Sequence, residues 1–174
     1  MTQRAFVFVL VFLSLLSGVA LSEGSRTLRL KEELIALQNS EPLTLAKFLA
    51  CSEVKGYGDY VPLEEAKVKG DGVILFYYEP LNYFTRREGD IYEIWLLQDV
   101  VVLDAKQKEV FRQEGTMEIH LRKRSPVLDL YAVNRLTLHG LPPGKYVFRL
   151  VLRDKLKGER ASFDLPFEVV GGGP

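Results

Sequence analysis

Apolar and polar residues alternate most regularly between Gly140 and Val170. In the two halves of this stretch the apolar positions recur at every second residue, first at Tyr146, Phe148, Leu150 and Leu152, then at Ala161, Phe163, Leu165, Phe167 and Val169. This period predicts two β-strands that each have one buried and one solvent-exposed face. Asp154 to Gly158 separates the halves, and Gly158 can adopt the left-handed conformation that a tight connection requires. We therefore predict a β-hairpin.

The rest of the chain contains further segments of strand character, with turn residues between them. Val73–Glu79 is apolar almost throughout, which is typical of a central strand covered on both faces. Alternation marks Leu43–Val54, Ile91–Leu103 and Thr116–Arg122, and Val127–Leu138 should contain one more strand. Roughly eight strands without a βαβ pattern predict an all-β fold, namely an immunoglobulin-like or fibronectin-like antiparallel β-sandwich. A closed barrel is the alternative.

The first 22 residues have the composition of a signal peptide. Arg4 supplies a positive charge, Ala5–Leu16 is apolar apart from one serine, and Ala20-Leu21-Ser22 places small residues at a cleavage site. We predict cleavage after Ser22, with an uncleaved membrane anchor as the alternative. The protein is then exported to the periplasm or cell surface, and it meets the membrane only through this segment before cleavage.

The pattern divides the chain into four parts. Leu30, Leu34 and Leu37 have the spacing of an amphipathic helix between the signal peptide and the first strand. The predicted parts are a signal peptide at 1–22, a short helical tether at 23–42, a β-sandwich domain at 43–170 and a flexible tail at 171–174.

Composition narrows the classes of function. The 174 residues include 23 basic and 23 acidic side chains, so the net charge is zero. That balance argues against a nucleic-acid-binding protein, which holds its ligand with a broad positive field. The single cysteine, Cys51, excludes an intramolecular disulfide.

Candidate catalytic residues are few. Cys51 would serve a thiol-dependent enzyme only if it were exposed and within reach of His120 or His139, the two histidines. A lone cysteine in a strand is more typical of a small buried apolar residue. Three turn aspartates lack the ligand spacing of a calcium loop: Asp71, Asp90 and Asp104. The sequence therefore predicts no catalytic residue, no metal site and no cofactor.

Some residues have the pattern of structural corners. Leu141-Pro142-Pro143-Gly144-Lys145-Tyr146 is typical of the entry to a late strand in immunoglobulin-like sandwiches. In such a sandwich the tyrosine, here Tyr146, packs its ring in the core and forms a hydrogen bond from its hydroxyl to the backbone. We therefore predict structural roles for Tyr146 and Gly144. Gly56 and Gly58 flank Tyr57 and predict a bulge or a tight backbone corner.

Aromatic residues are concentrated in the first half of the chain. We predict that an open row of rings binds a partner, which is another envelope protein or a polysaccharide. The predicted binding residues are Tyr77, Tyr83, Phe84, Tyr92 and Trp95. The predicted function is that of an exported, non-catalytic binding or scaffold protein of the bacterial cell envelope. The alternatives are a carbohydrate-binding module that uses exposed aromatics and a thiol-dependent enzyme centred on Cys51.

Several stretches together resemble a family of uncharacterised exported proteins of planctomycete-type bacteria. The similarity lies in Ala50–Tyr60, in Val73–Glu79 with Asn82–Phe84, in Leu141–Asp154 and in Phe167–Val169. The resemblance implies export and a β-sandwich, and it implies no activity, so no catalytic residue follows from it. Val127–Leu138 matches the family poorly.

Overall fold

The computed structural model describes the backbone of residues 17–171 and the side chains of residues 26–171. One helix, α1, spans Ser17–Ser40, and all other regular elements are strands. The chain divides into two compact units, one ending at Leu37 and the other beginning at Gln38. Within the described residues, no helix combines the length and the apolar character needed to cross a membrane. Most of the predicted signal peptide, and the last three residues of the predicted tail, lie outside the described residues.

Ten strands are present in the described part of the chain. Their bounds are β1 Thr44–Gly56, β2 Asp59–Pro62, β3 Lys67–Lys69, β4 Val73–Leu81, β5 Arg86–Glu88, β6 Ile91–Asp104, β7 Glu109–Lys123, β8 Ala132–Thr137, β9 Gly144–Asp154 and β10 Glu159–Val170. The prediction of an all-β fold is therefore confirmed.

The strands form two sheets. The smaller sheet has the order β2-β1-β4-β8, and the larger has the order β3-β10-β9-β6-β5 with β7 on the other edge of β6. The predicted hairpin is formed by β9 and β10. Neighbouring strands are antiparallel except β3 and β10, which are parallel. The prediction of a wholly antiparallel fold is wrong at this pair, because β3 reaches the edge of the larger sheet by a crossover rather than by a tight turn.

The inner faces of the two sheets meet in one apolar core. Phe76 of β4 stacks on Phe148 of β9, with ring centroids 3.9 Å apart and planes at 13°, and Phe167 of β10 meets the Phe76 ring edge-on at 5.6 Å. The alternating apolar residues of β9 and β10 all face this core. Burial of these large rings is the main source of stability, at roughly 25 cal/mol for each Å² of apolar surface removed from water.

A buried polar network also bridges the sheets. Gln98 of β6 donates to Asn134 of β8 and to Thr116 of β7, each at 2.6 Å. Its side-chain oxygen accepts from the Tyr78 hydroxyl at 2.6 Å and from the Asn134 amide at 3.2 Å. Because each member has a partner, the polar groups are buried without the cost of an unmade hydrogen bond.

Three short strands lie in segments that the sequence predicts as turns or loops. They are β2, β3 and β5, each four residues or fewer. Pro80 does not end β4, which continues to Leu81. Pro80 pairs with Leu45 where β1 has an irregularity in register, and a proline without an N–H is tolerated at such a place.

Strand β7 runs without interruption from Glu109 to Lys123, although the predicted strand begins only at Thr116, after a break in the alternation at Gly115. At the break Gly115 has a φ of 62°, and its N–H donates to the Asp99 carboxylate at 2.8 Å. The register of β6 against β7 shifts between Gln98 and Val100. This is a β-bulge, which lets one long strand bend without ending.

Candidate functional site

The outer face of the smaller sheet carries an unusual concentration of tyrosines. In β4 the side chains of Phe76 and Tyr78 lie in the core, so Tyr77 and Glu79 point to the opposite face. Tyr77 is nevertheless fully buried there, and so is Cys51 of β1, which pairs with Leu75 of β4. The outer face of this sheet is therefore covered by side chains of its own.

Four rings form a connected group that we call the tyrosine cluster: Tyr57, Tyr60, Tyr77 and Tyr131. Tyr60 and Tyr131 contact the buried Tyr77 ring, with centroids 4.5 Å and 5.8 Å away. Tyr57 meets Tyr131 edge-on, at 6.3 Å and 64°. Tyr57 is 50% exposed and Tyr131 is 40% exposed. The cluster thus has a buried base and two exposed rings.

Hydrogen bonds fix the base of the cluster. The Tyr77 hydroxyl donates to Glu79 Oε1 at 2.6 Å and accepts from the Gly58 N–H at 3.0 Å. Gly58 has a φ of 68°, which favours glycine, and it forms with Tyr57 the turn between β1 and β2. Burial, followed by the bond to Glu79, raises the pKa of Tyr77. Tyr77 therefore holds the turn that presents Tyr57.

Two carboxylates lie at the cluster. The Tyr57 hydroxyl donates to Asp129 Oδ1 at 3.5 Å, while Glu79 binds Tyr77. Desolvation raises the pKa of Tyr57, and the negative charges of Glu79 and Asp129 raise it further. Both carboxylates thus act on the hydroxyl of one exposed ring.

The five predicted binding residues do not form an open row. Tyr77, Tyr83 and Tyr92 are buried, so the predicted exposure of these three rings is wrong. Tyr83 lies in the intersheet core, and its hydroxyl donates to the Val127 carbonyl at 3.0 Å. Phe84 is partly buried, and its N–H donates to the Asp154 carboxylate at 2.6 Å. Tyr83 and Phe84 lie in the loop after β4, while strand alternation places Tyr92 and Trp95 on opposite faces of β6.

Trp95 lies on the outer face of the larger sheet, away from the tyrosine cluster. Its ring stacks on His120 with centroids 4.5 Å apart, and its Nε1–H donates to Glu118 at 2.7 Å. His120 also contacts Glu93 at 2.8 Å, and Arg86 pairs with the same carboxylate. The His120 hydrogen bond, and next the Arg86 bond, lower the pKa of Glu93 to about 2. These side chains form hydrogen bonds with one another, and the Trp95 ring is left half-buried.

The hypothesis of a thiol-dependent enzyme loses its support. Cys51 is 1% exposed, and burial raises the pKa of its thiol. A nucleophilic cysteine needs access and a lowered pKa. Of the two histidines that could act as its base, His120 is hydrogen-bonded to Glu93, and His139 lies in an exposed turn after β8.

Two of the three turn aspartates have partners within the domain. Asp104 accepts from the N–H groups of Lys106 and Lys108, and Asp90 pairs with Arg124. Among the described residues, no three His, Cys, Asp or Glu side chains are grouped so as to hold a metal ion.

The predicted structural residues lie at tight corners. The Tyr146 ring is buried, and its hydroxyl donates to the Pro142 carbonyl at 2.8 Å, which is the contact that the sequence predicts. Gly144 begins β9 directly beside this ring. The register of β1 against β2 shifts between Val54 and Gly56, so Gly56 follows an irregularity at the end of β1.

Of the site, the sequence prediction included only Tyr77 and missed five members: Tyr57, Tyr60, Glu79, Asp129 and Tyr131. Glu79 ends an apolar run, Val73–Tyr78, and nothing in that run marks it as part of a site. Asp129 and Tyr131 lie between Pro126 and the short strand β8, where no period is visible. The available signal was the Tyr57-Gly58 pair, which predicts a turn that carries an exposed ring.

A cleft of about 260 Å³ lies between the edge strands β7 and β8. Its walls include Val100, Met117, Leu136 and Phe148, and the Asn134 amide at its edge already pairs with Gln98. The tyrosine cluster is therefore the stronger candidate for recognition, because its aromatic surface is exposed.

Comparison with known proteins adds little. No family model matches the chain, and no curated protein matches it. Among solved structures, the chain is similar to the Pseudomonas fluorescens alkylpurine DNA glycosylase AlkC bound to DNA containing an abasic site analog, with 11% sequence identity and a TM-score of 0.44. The match covers 90% of this chain and 42% of that chain, so this chain spans less than half the length of the glycosylase. A similarity at this level supports no statement about function.

Proposed function

We propose that this chain is an exported, non-catalytic binding protein of the bacterial cell envelope, and that the tyrosine cluster is its binding surface. The observation that carries the proposal is the pair of exposed rings, Tyr57 and Tyr131, on a buried and hydrogen-bonded base. Tyrosines give a large contact area and lose few rotatable bonds when they bind. A surface that is ordered before binding loses less conformational entropy on binding.

The finer fold class and the location belong to the same proposal. Two facing sheets and the bond from Tyr146 to Pro142 support an immunoglobulin-like sandwich. The charged start and apolar run of residues 1–22 support export.

The geometry of the exposed rings favours a protein partner over a polysaccharide. A polysaccharide stacks successive sugar rings on aromatic faces that lie roughly in one plane. Tyr57 and Tyr131 instead stand at 64° to each other. Two exposed rings inclined in this way suit a compact side chain of a protein better than an extended, flat sugar chain.

Affinity capture from an envelope extract tests the proposal. The test variant replaces both Tyr57 and Tyr131 by Ala. The matched control replaces Val110 and Phe111 by Ala, because these β7 side chains are similarly exposed, at 43% and 41%. We expect the tyrosine variant to lose a captured partner that the wild type and the control retain, with unchanged circular dichroism.

Capture that persists in the folded tyrosine variant would refute this binding surface. Equal loss in both variants would show nonspecific apolar adsorption and would also refute it. A parallel sedimentation assay with insoluble polysaccharides tests the alternative ligand. Tyrosine-dependent sedimentation there would replace the protein partner by a carbohydrate.

A further inference from the structure

Among the described residues, neither carboxylate of the tyrosine cluster takes part in an observed ion pair. Glu79 is 9% exposed and accepts the Tyr77 hydroxyl, and Asp129 is exposed and accepts only the Tyr57 hydroxyl. Within residues 26–171, the observed ion pairs use other carboxylates. This differs from Glu93, Asp99 and Asp164, which each pair with an arginine.

The basic side chains around the cluster leave this charge unpaired. Lys47 of β1 lies opposite Glu79 in the register of the sheet but makes no ion pair with it within 4.0 Å. Arg135 of β8 lies opposite Leu75, two positions before Tyr77 along β4. The exposed Asp129 is therefore directly available to a ligand, while the buried Glu79 contributes only through its negative charge, which Lys47 reduces at long range.

The exposed rings add attraction of the same sign. The face of an aromatic ring carries partial negative charge, and a cation within about 6 Å of its centroid is attracted. Tyr57 and Tyr131 present two such faces at 64°, and Asp129 lies at the hydroxyl of the first. Two aromatic faces together with carboxylates are complementary to an organic cation and not to a neutral or anionic group.

Resting on the proposed function, we propose that the tyrosine cluster recognises a basic side chain of its protein partner, with a lysine ammonium or an arginine guanidinium lying against the exposed surfaces of Tyr57 and Tyr131, beside Asp129. The guanidinium group stacks on aromatic rings and binds carboxylates at the same time. The proposal thus predicts that the partner protein has an exposed lysine or arginine at the contact.

Titration with small probes tests this directly on the full chain. The probes are N-acetyl-arginine amide, N-acetyl-lysine amide and, as a neutral control of equal shape, N-acetyl-citrulline amide, followed by the NMR signals of the tyrosine rings. We expect the cationic probes to shift the Tyr57 and Tyr131 signals. The citrulline probe should bind about two- to fivefold more weakly than the arginine probe. The difference should shrink as salt is raised.

Variants assign the effect. Asp129→Asn should reduce the preference for arginine over citrulline by about two- to fivefold. Replacing Val110 and Phe111 by Ala should leave it unchanged. The Tyr57→Ala, Tyr131→Ala double variant lacks these two signals, so it is followed by the Tyr60 and Tyr77 ring signals, and any shift that the cationic probes cause there in the wild type should be lost.

The outcomes separate this inference from the proposed function. Equal binding of citrulline and arginine, together with tyrosine-dependent capture of an envelope protein, would overturn the basic side chain and leave the binding surface standing. Tetramethylammonium serves as a fourth probe, and stronger binding of it than of N-acetyl-arginine amide would indicate a quaternary headgroup and overturn the protein side chain as ligand. If no probe shifts the signals and the variant without Tyr57 and Tyr131 still captures the partner, both the basic side chain and the proposed binding surface are overturned.

Discussion

Replacing Tyr77 by Phe removes one hydroxyl and keeps the buried ring. That hydroxyl donates to Glu79 at 2.6 Å and accepts from the Gly58 N–H at 3.0 Å. The variant therefore leaves a carboxylate that is 9% exposed without its donor, and it leaves the turn between β1 and β2 without its anchor. The aromatic contacts with Tyr60 and Tyr131 need not change.

The expected cost follows from the two bonds. A hydrogen bond to a charged group contributes about 1.5–3 kcal/mol, and a neutral one about 0.5–1.5 kcal/mol. Together the two contributions come to about 2–4.5 kcal/mol, and water that partly replaces the donor at Glu79 lowers the upper end of this range. We expect Tyr77→Phe to lower the free energy of unfolding by about 2–4 kcal/mol.

Urea denaturation followed by circular dichroism measures this change. The matched control is Tyr60→Phe, because the Tyr60 ring contacts Tyr77 while its hydroxyl makes no hydrogen bond in the described part of the chain. The control should stay within about 0.5 kcal/mol of the wild type. A Tyr77→Phe variant as stable as Tyr60→Phe would refute the view that Tyr77 anchors the cluster.

Three further predictions test other parts of the structure. Phe76→Ala should cost about 3–5 kcal/mol in urea denaturation, because it removes the ring that stacks on Phe148, and a cost below 1 kcal/mol would contradict the core as described. Stability should fall as the pH drops from about 4.5 towards about 2. Hydrogen bonds from His120 and Arg86 lower the pKa of Glu93, so in this pH range its carboxylate stays charged in the folded protein but takes up a proton in the unfolded one. Glu93→Gln should flatten that part of the pH profile, and an unchanged slope would refute the assignment. The Cys51 thiol should resist a thiol reagent in the folded protein and react only on unfolding, and rapid labelling at neutral pH would show that it is accessible.

The strands that alternate regularly were predictable because period two follows directly from strand geometry. The apolar faces of β9 and β10 were identified correctly for this reason. The short strands β2, β3 and β5 were not, because three or four residues are too few to show a period. The parallel pairing of β3 with β10 depends on contacts far apart in the chain, which a local pattern does not contain.

The site was less predictable than the fold. An aromatic residue in a strand can face the core or the solvent, and both sides of β4 carry rings. Tyr77 was expected to be exposed because outward-facing residues usually are, but Tyr60 and Tyr131 cover it. Tyr131 comes from a segment 54 positions later in the sequence, so only the folded sheet brings the rings together.

Site-specific photocrosslinking in cells that export the chain tests the central claim most directly. A photoreactive benzoyl-phenylalanine replaces Tyr57 in one variant and Trp95, on the outer face of the larger sheet, in another. The account predicts a crosslinked adduct with a partner protein from position 57 and none from position 95. An adduct from position 95 alone would place the binding surface on the other sheet and contradict the account.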